Sequence, residues 1–269
     1  MGSNINIHKT AVVEDGARLG NNVTIGPYAV IGKEVELQDG VYVGPHAVIE
    51  GNTTIGPQCK IFQFASIGAA PQDVKYAGEP TKVIIEEGTQ VREFVTIHRG
   101  TKDGGGVTRV GKGCMIMAYS HIAHDCQVGN RVIMANGATL AGHVVVGDFV
   151  VIGGLSAVHQ FCKIGEYAFL GGMSGVNKDI PPYLRYWGQR GNVYGLNLIG
   201  LKRHGFSRDV LKALRDSYRI VFQREGHLKD AIEEARTIYG EFQEVLNFLK
   251  FIEDSKMGIP RAGEEENGR

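Results

Sequence analysis

The sequence predicts a mainly β solenoid of about nine triangular coils, interrupted by two loops and followed by a small helical domain. Two observations carry that expectation. An apolar residue returns every six positions from Ile7 to Val176, and after Pro181-Pro182 the spacing changes to that of amphipathic helices.

The hexads begin at Ile7, Val13, Leu19, Ile25, Ile31, Leu37, Val43, Ile49, Ile55, Ile61 and Ile67, and resume in phase at Ile85, Val91 and Ile97. A third block, one residue out of phase, runs from Val110 to Val176. All 26 leads are Val, Ile, Leu or Met in a chain that is 43% hydrophobic, so composition alone does not produce the pattern. A period of six fits neither a helix at 3.6 nor an alternating strand at 2. It fits flat faces of short strands joined by tight corners, three faces to a coil, with the leads pointing inward. The residue four places after the lead is small almost throughout, as at Ala11, Ala29, Ala65, Ser120, Ala138 and Ser174, which suits a cramped corner. Cys59, Cys114, Cys126 and Cys162 all occupy that position, so they read as buried free thiols rather than a disulfide or zinc set.

The rhythm breaks twice. Pro71 to Lys82 is an excursion from one corner, and its Gln72, Asp73, Lys75 and Tyr76 form a dense polar set on a rigid scaffold. Thr101 to Thr108, TKDGGGVT, is glycine-rich and is expected to be mobile. After the proline pair, Tyr183 to Tyr194 reads as an irregular stretch holding the only tryptophan, Trp187. Three helical stripes follow. Val210, Leu214, Tyr218, Val221 and Phe222 form the first, with Ser207 placed to cap it. Leu228, Ile232, Ala235 and Tyr239 form the second, and Phe242, Val245, Leu246, Leu249 and Ile252 the third. Met257 to Arg269 is polar and is expected to fray. The expected division is a coil domain over residues 1–190 and a helical domain over 191–269.

Net charge is zero and the pI about 7.1, which gives no ground for bulk nucleic-acid binding. The basic residues Lys202, Arg203, Arg208, Lys212, Arg215 and Arg219 nonetheless cluster on the first helix and its approach, a local patch for an acidic partner or a phosphate. No signal peptide is recognisable and no apolar run approaches the length of a membrane span; with reduced cysteines, this points to a cytoplasmic protein.

Histidines give the chemical signal. His121, His124, His143 and His159 fall within 39 residues, and none is a lead. His124 and His143 are one coil plus one residue apart, which places them at the same corner; His121 sits on the preceding face and His98 on an earlier coil. Such a cluster serves two chemistries: neutral imidazoles binding a metal, or one imidazole acting as general base while the others orient a substrate. The second needs a backbone N–H for the oxyanion, and Gly142 is placed to supply it.

The loop PQDVKY, the segments HIAHDCQVGN, ANGATLAGHVVVGD and GGLSAVHQFCKIG, and the tail GLKRHGFSRD together resemble the UDP-N-acetylglucosamine acyltransferase family, over essentially the whole chain. The resemblance implies a left-handed parallel β-helix and a homotrimer with sites between subunits. It also implies transfer of a 3-hydroxyacyl chain from acyl carrier protein to the 3-hydroxyl of UDP-N-acetylglucosamine, the first step of lipid A biosynthesis, without a cofactor or metal. By that match His124 is the general base, Asp125 orients it, and the Gly142 amide holds the oxyanion. His98, His121, His143, His159 and Gln160 line the cleft. Gln72, Asp73 and Lys75 hold the sugar nucleotide or the acyl hydroxyl, from across the interface, and Asn197 and Arg203 meet the phosphates. Phe169 and Gly172 form the acyl-chain ruler, the glycine admitting chains longer than ten carbons. Two positions depart from the family: His204 replaces an arginine and Ile199 an acidic residue, which leaves nucleotide affinity and the 3-hydroxyl versus 3-amino choice open. The alternatives are a γ-class carbonic anhydrase-like zinc hydratase, a hexapeptide acetyltransferase using acetyl-CoA, and a non-catalytic solenoid. The sister acyltransferase of the pathway is disfavoured because hexads begin at Ile7.

Overall fold

A computed structural model of the chain describes residues 5–263. The first 26 strands wind as a left-handed parallel β-helix of three faces. The first face runs from Asn6–Ile7 to Phe169–Leu170, the second from Val12–Val13 to Gly175–Val176, the third from Arg18–Leu19 to Lys163–Ile164. Lead stacks on lead: Ile7 pairs with Ile25, a step of 18 residues. At the first excursion Ile61 pairs with Val91, a step of 30. At the second, Ile85 pairs with Val110, a step of 25. The loops therefore insert twelve and seven residues, and the odd seven causes the one-residue phase shift seen in the sequence.

From Ile25 onward the leads are buried, most of them completely, in three continuous apolar ladders. Burying each such side chain is worth about 1.5–3 kcal/mol, which is what allows strands of two residues to hold. The four cysteines are free and buried among them. Most corners put the residue three after the lead in the left-handed region, as at Tyr28, Phe64, Phe94 and Tyr119. The residue before it needs no amide partner, which is why Pro27, Pro45 and Pro57 are accepted there.

Beyond the coils the structure departs from expectation in three places. Tyr183–Tyr194 is not irregular: Leu184–Trp187 and Asn192–Leu196 form an antiparallel hairpin that extends the first sheet past the expected boundary at 190/191. A short helix, α1 (Leu198–Arg203), precedes the three expected ones, α2 (Arg208–Gln223), α3 (Leu228–Tyr239) and α4 (Gln243–Glu253). Ser207 caps α2 through the amide of Val210 at 3.2 Å, as expected. The segment expected to fray is docked as far as Gly263: Ala262 bridges to Val193, and Asp179 Oδ2 accepts from the Met257 amide at 3.3 Å. The rest of that segment, Glu264 to Arg269, lies outside the described residues. No helix is long and apolar enough to cross a membrane among the described residues.

Candidate active site

Chemistry concentrates at the second corner, the turn after each second-face strand. Ile122-Ala123-His124-Asp125 and, one coil on, Leu140-Ala141-Gly142-His143 are equivalent turns. His124 and Gly142 occupy the position whose amide the turn leaves unused. Asp125 (φ 60°) and His143 (φ 62°) occupy the left-handed one; since that φ recurs at most corners, it belongs to the architecture and does not mark the site.

His124 Nδ1 lies 2.9 Å from Asp125 Oδ2. The carboxylate is an acceptor, so it selects the Nδ1–H tautomer and leaves the Nε2 lone pair unspent. That nitrogen lies against Gly142: a Cβ built on the glycine would stand 2.7 Å from Nε2 and 2.6 Å from Cε1. The Gly142 amide itself makes no hydrogen bond among the described residues. A basic nitrogen and an unused N–H are thus adjacent. His143 meets His124 edge to face at 5.0 Å and stacks on Phe161 at 4.5 Å.

His98 and His121 join from the second face, their rings 4.9 Å apart. His121 Nδ1 shares a 2.7 Å hydrogen bond with Thr96 Oγ1. His98 Nδ1 is buried with no partner among the described residues, an orphan that a bound polar group would satisfy. Burial lowers the pKa of His98, and it pushes His121 down to about 4 with help from neighbouring His98 and His124. Burial also lowers His143, outweighing the opposing pull of Asp125 and Asp73. A histidine depressed on folding binds protons more readily when unfolded, where its pKa is about 6.5. Its neutral native form therefore contributes stability above pH ~6.5 that is lost as pH falls towards 4. Thermal unfolding followed from pH 7 to 4 should show a shallower loss in His121→Gln than in the wild type; parallel curves would contradict this.

Asp73 of the first excursion acts electrostatically on His143 of its own chain, favouring its protonated form. Its Oδ1 accepts from the Lys75 amide at 2.9 Å, shaping the loop tip, while Gln72 and Lys75 are exposed. Arg99, unremarked in the sequence, pins the loop: its Nε donates to Tyr76 Oη at 2.9 Å and its Nη1 to the Gly68 carbonyl at 2.7 Å.

The other expected residues do not converge within one chain. His159 and Gln160 lie a coil further on and are exposed; among the described residues the His159 ring hydrogen-bonds the Gln160 carbonyl alone. Asn197 caps α1 by accepting from the Gly200 amide at 3.2 Å, and its Nδ2 donates at 3.0 Å to the Tyr167 carbonyl, at the third corner. Arg203 is exposed at the end of the same helix. His204 packs edge-on against Phe149 at 4.8 Å, spending its ring on aromatic contact, and Ile199 is exposed. Gly172 sits at the first corner, where a Cβ would meet only the Gly154 backbone, at 3.4 Å. Phe169 lies 5.9 Å from Trp187, whose ring covers Gly171 so closely that a Cβ there would stand 2.1 Å away. Base, phosphate and ruler residues thus occupy three different corners of the prism.

The first corner also carries an exposed ladder. Tyr28, His46, Phe64, Phe94 and Tyr119 stack face to face at 4.9–5.1 Å. Leu155 and Met173 continue it, exposed, beyond Gly137. Reading every third hexad would have found it.

Ligand atoms of His124, Asp125 and His143 lie within 4.8 Å of one another, close enough to hold a metal ion. The hydrogen bonds commit the carboxylate elsewhere: Asp125 receives His124 Nδ1 at 2.9 Å and the Thr101 amide and hydroxyl at 2.9 and 2.6 Å. That pattern fits an orienting partner for a base better than a ligand.

Residues 179–260 match the family model described as Udp N-acetylglucosamine O-acyltransferase, domain 2, and residues 108–142 match the bacterial transferase hexapeptide model. Among solved structures the chain is similar to a UDP-N-acetylglucosamine acyltransferase from Campylobacter jejuni. The two are 40% identical over 96% of this chain and 100% of that one, with a TM-score of 0.91. It is also similar to a UDP-N-acetylglucosamine O-acyltransferase from Moraxella catarrhalis, 39% identical over 95% and 99% of the two chains (TM-score 0.86). A UDP-N-acetylglucosamine acyltransferase from Arabidopsis is 35% identical over 95% and 100% (TM-score 0.84).

Proposed function

The chain belongs to the UDP-N-acetylglucosamine acyltransferase family, and we propose that it moves a 3-hydroxyacyl chain from acyl carrier protein to the 3-hydroxyl of UDP-N-acetylglucosamine, with His124 as the base. The observation that carries the mechanism is the unspent Nε2 of His124 lying against Gly142, whose amide is also unspent. In the reaction, Nε2 takes the proton of the sugar hydroxyl as that oxygen attacks the thioester carbonyl. The Gly142 N–H steadies the oxyanion. The imidazolium, held by Asp125, returns its proton to the departing thiolate, so ester and thiol are the products. His98, His121 and His143, held neutral by burial, offer hydrogen bonds without repelling the imidazolium strongly.

The geometry of one chain supports a homotrimer. Asn197 and Arg203 at the third corner cannot meet His124 at the second unless another copy brings them. The apolar ladder at the first corner, and Val74 standing fully exposed on the first excursion, are surfaces such copies would cover. The outward side of α2 places Arg208, Lys212, Arg215 and Arg219 in one exposed basic row, a fitting dock for an acidic carrier protein.

The test is transfer from carrier protein bearing ten-, twelve- or fourteen-carbon 3-hydroxyacyl chains to UDP-N-acetylglucosamine and to its 3-amino analogue. An ester on the hydroxyl sugar, with the longer chains preferred because Gly172 leaves their path open, is the expected result. Exclusive amide formation would replace the acceptor, and preference for ten carbons would remove Gly172 from the ruler.

A further inference from the structure

We propose that Thr101 is a positioning residue for the reaction: with Gly104 it locks the Asp125 carboxylate, and through it the His124 ring, in the orientation that leaves Nε2 free. This rests on the reading of His124 as the base. The second excursion, whose glycines suggested mobility, is instead folded onto Asp125. Thr101 is buried, and its amide donates to both carboxylate oxygens, at 2.9 and 3.1 Å. Its hydroxyl lies 2.6 Å from Oδ2, the same oxygen that His124 Nδ1 reaches at 2.9 Å.

The direction of the hydroxyl proton follows from the loop. The Gly104 amide donates into Thr101 Oγ1 at 3.2 Å, so that oxygen already accepts a hydrogen bond there. Its own proton goes to the carboxylate, which can only accept. Asp125 has a fully buried side chain and thus gathers three donors, Thr101 N–H, Thr101 O–H and His124 Nδ1–H. A buried carboxylate needs such company, and each donor fixes its rotation.

The glycines are the second half of the lock. A Cβ on Gly104 would fall 2.0 Å from Asp125 Cγ and 2.2 Å from Oδ2, and one on Gly100 would fall 2.8 Å from Oδ1. Backbone must approach the carboxylate closely here, which only glycine permits. The Gly106 amide closes the loop on the Thr101 carbonyl at 2.8 Å. Other ionisable groups around this pair are His143, 3.9 Å from Oδ2, His98 and His121, which feel the charge of His124, and the buried thiol of Cys126, which feels that of Asp125.

The test compares Thr101→Val, Thr101→Ser and Gly104→Ala in the full chain. Thr101→Val keeps the shape and removes the hydroxyl donor. The less satisfied carboxylate then holds a protonated His124 more strongly, so the acid limb of kcat/KM should move to higher pH. Its kcat should fall on the order of 10–100-fold, the usual scale for an orienting partner behind a functional histidine, with KM little changed. Gly104→Ala should lower kcat in the same way by wedging the carboxylate, and Thr101→Ser should restore it. Nitrogen-15 spectra of the histidine rings need no substrate: His124 should be Nδ1–H in the wild type and a tautomer mixture in Thr101→Val. If the wild type lacks acyl transfer, the function is misread, and the ring spectra still decide the lock. A Thr101→Val protein with wild-type kcat, acid limb and ring spectra, even at a lowered melting temperature, would overturn the proposal.

Discussion

Replacing His124 by alanine is expected to lower kcat about 10²–10⁴-fold, the range a positioned general base contributes, while the fold stays intact. The side chain belongs to a corner residue outside the apolar ladders, and its hydrogen-bond partner Asp125 keeps both bonds from Thr101. Nothing in the core depends on it. Steady-state transfer rates measured beside circular dichroism and sedimentation would separate lost chemistry from lost structure. A variant turning over within tenfold of the wild type would remove His124 from the mechanism.

Gly142→Ala should cost nearly as much, for a different reason. The glycine does not have a positive φ, so the turn backbone accepts alanine. The new methyl carbon, however, would stand 2.6–2.7 Å from the His124 ring, and the ring must move. Displacing the base from the oxyanion donor should reduce kcat on the order of 10²-fold, about 2.7 kcal/mol of barrier. The melting temperature should change little, since the methyl group faces the site. A large fall in stability with unchanged kcat would mean that Gly142 serves the turn and not the reaction.

The coils were legible because one physical constraint repeats: each lead must enter an apolar interior, so Ile25, Leu37 and Ile61 announce their faces without regard to neighbours. The stripes of α2, α3 and α4 were legible for the same reason. The Leu184–Trp187 hairpin was not, because its few residues alternate too briefly to establish a period, and its pairing depends on the first sheet already being present. The histidine corner could be placed from the 19-residue separation of His124 and His143 alone. Its support could not. Thr101 reaches Asp125 across 24 residues, and only after a seven-residue insertion folds back over the corner. Glycine-rich composition pointed to mobility where the structure uses it for close approach. Asn197 shows the converse: the family resemblance marks it for ligand contact, and within one chain its side chain caps α1 and ties that helix to Tyr167.

The central claim is that each chain carries half a site, with the base at its second corner completed by the third corner of another copy. Co-assembling His124→Ala chains with Arg203→Glu chains tests it most directly, because each parent protein lacks one half. In randomly mixed trimers roughly a quarter of the shared sites regain both wild-type halves. The account predicts transfer activity near that fraction of the wild type from the mixture, well above either parent. Activity no greater than the mean of the two parents would show that base and phosphate residues do not meet between subunits, and would contradict it.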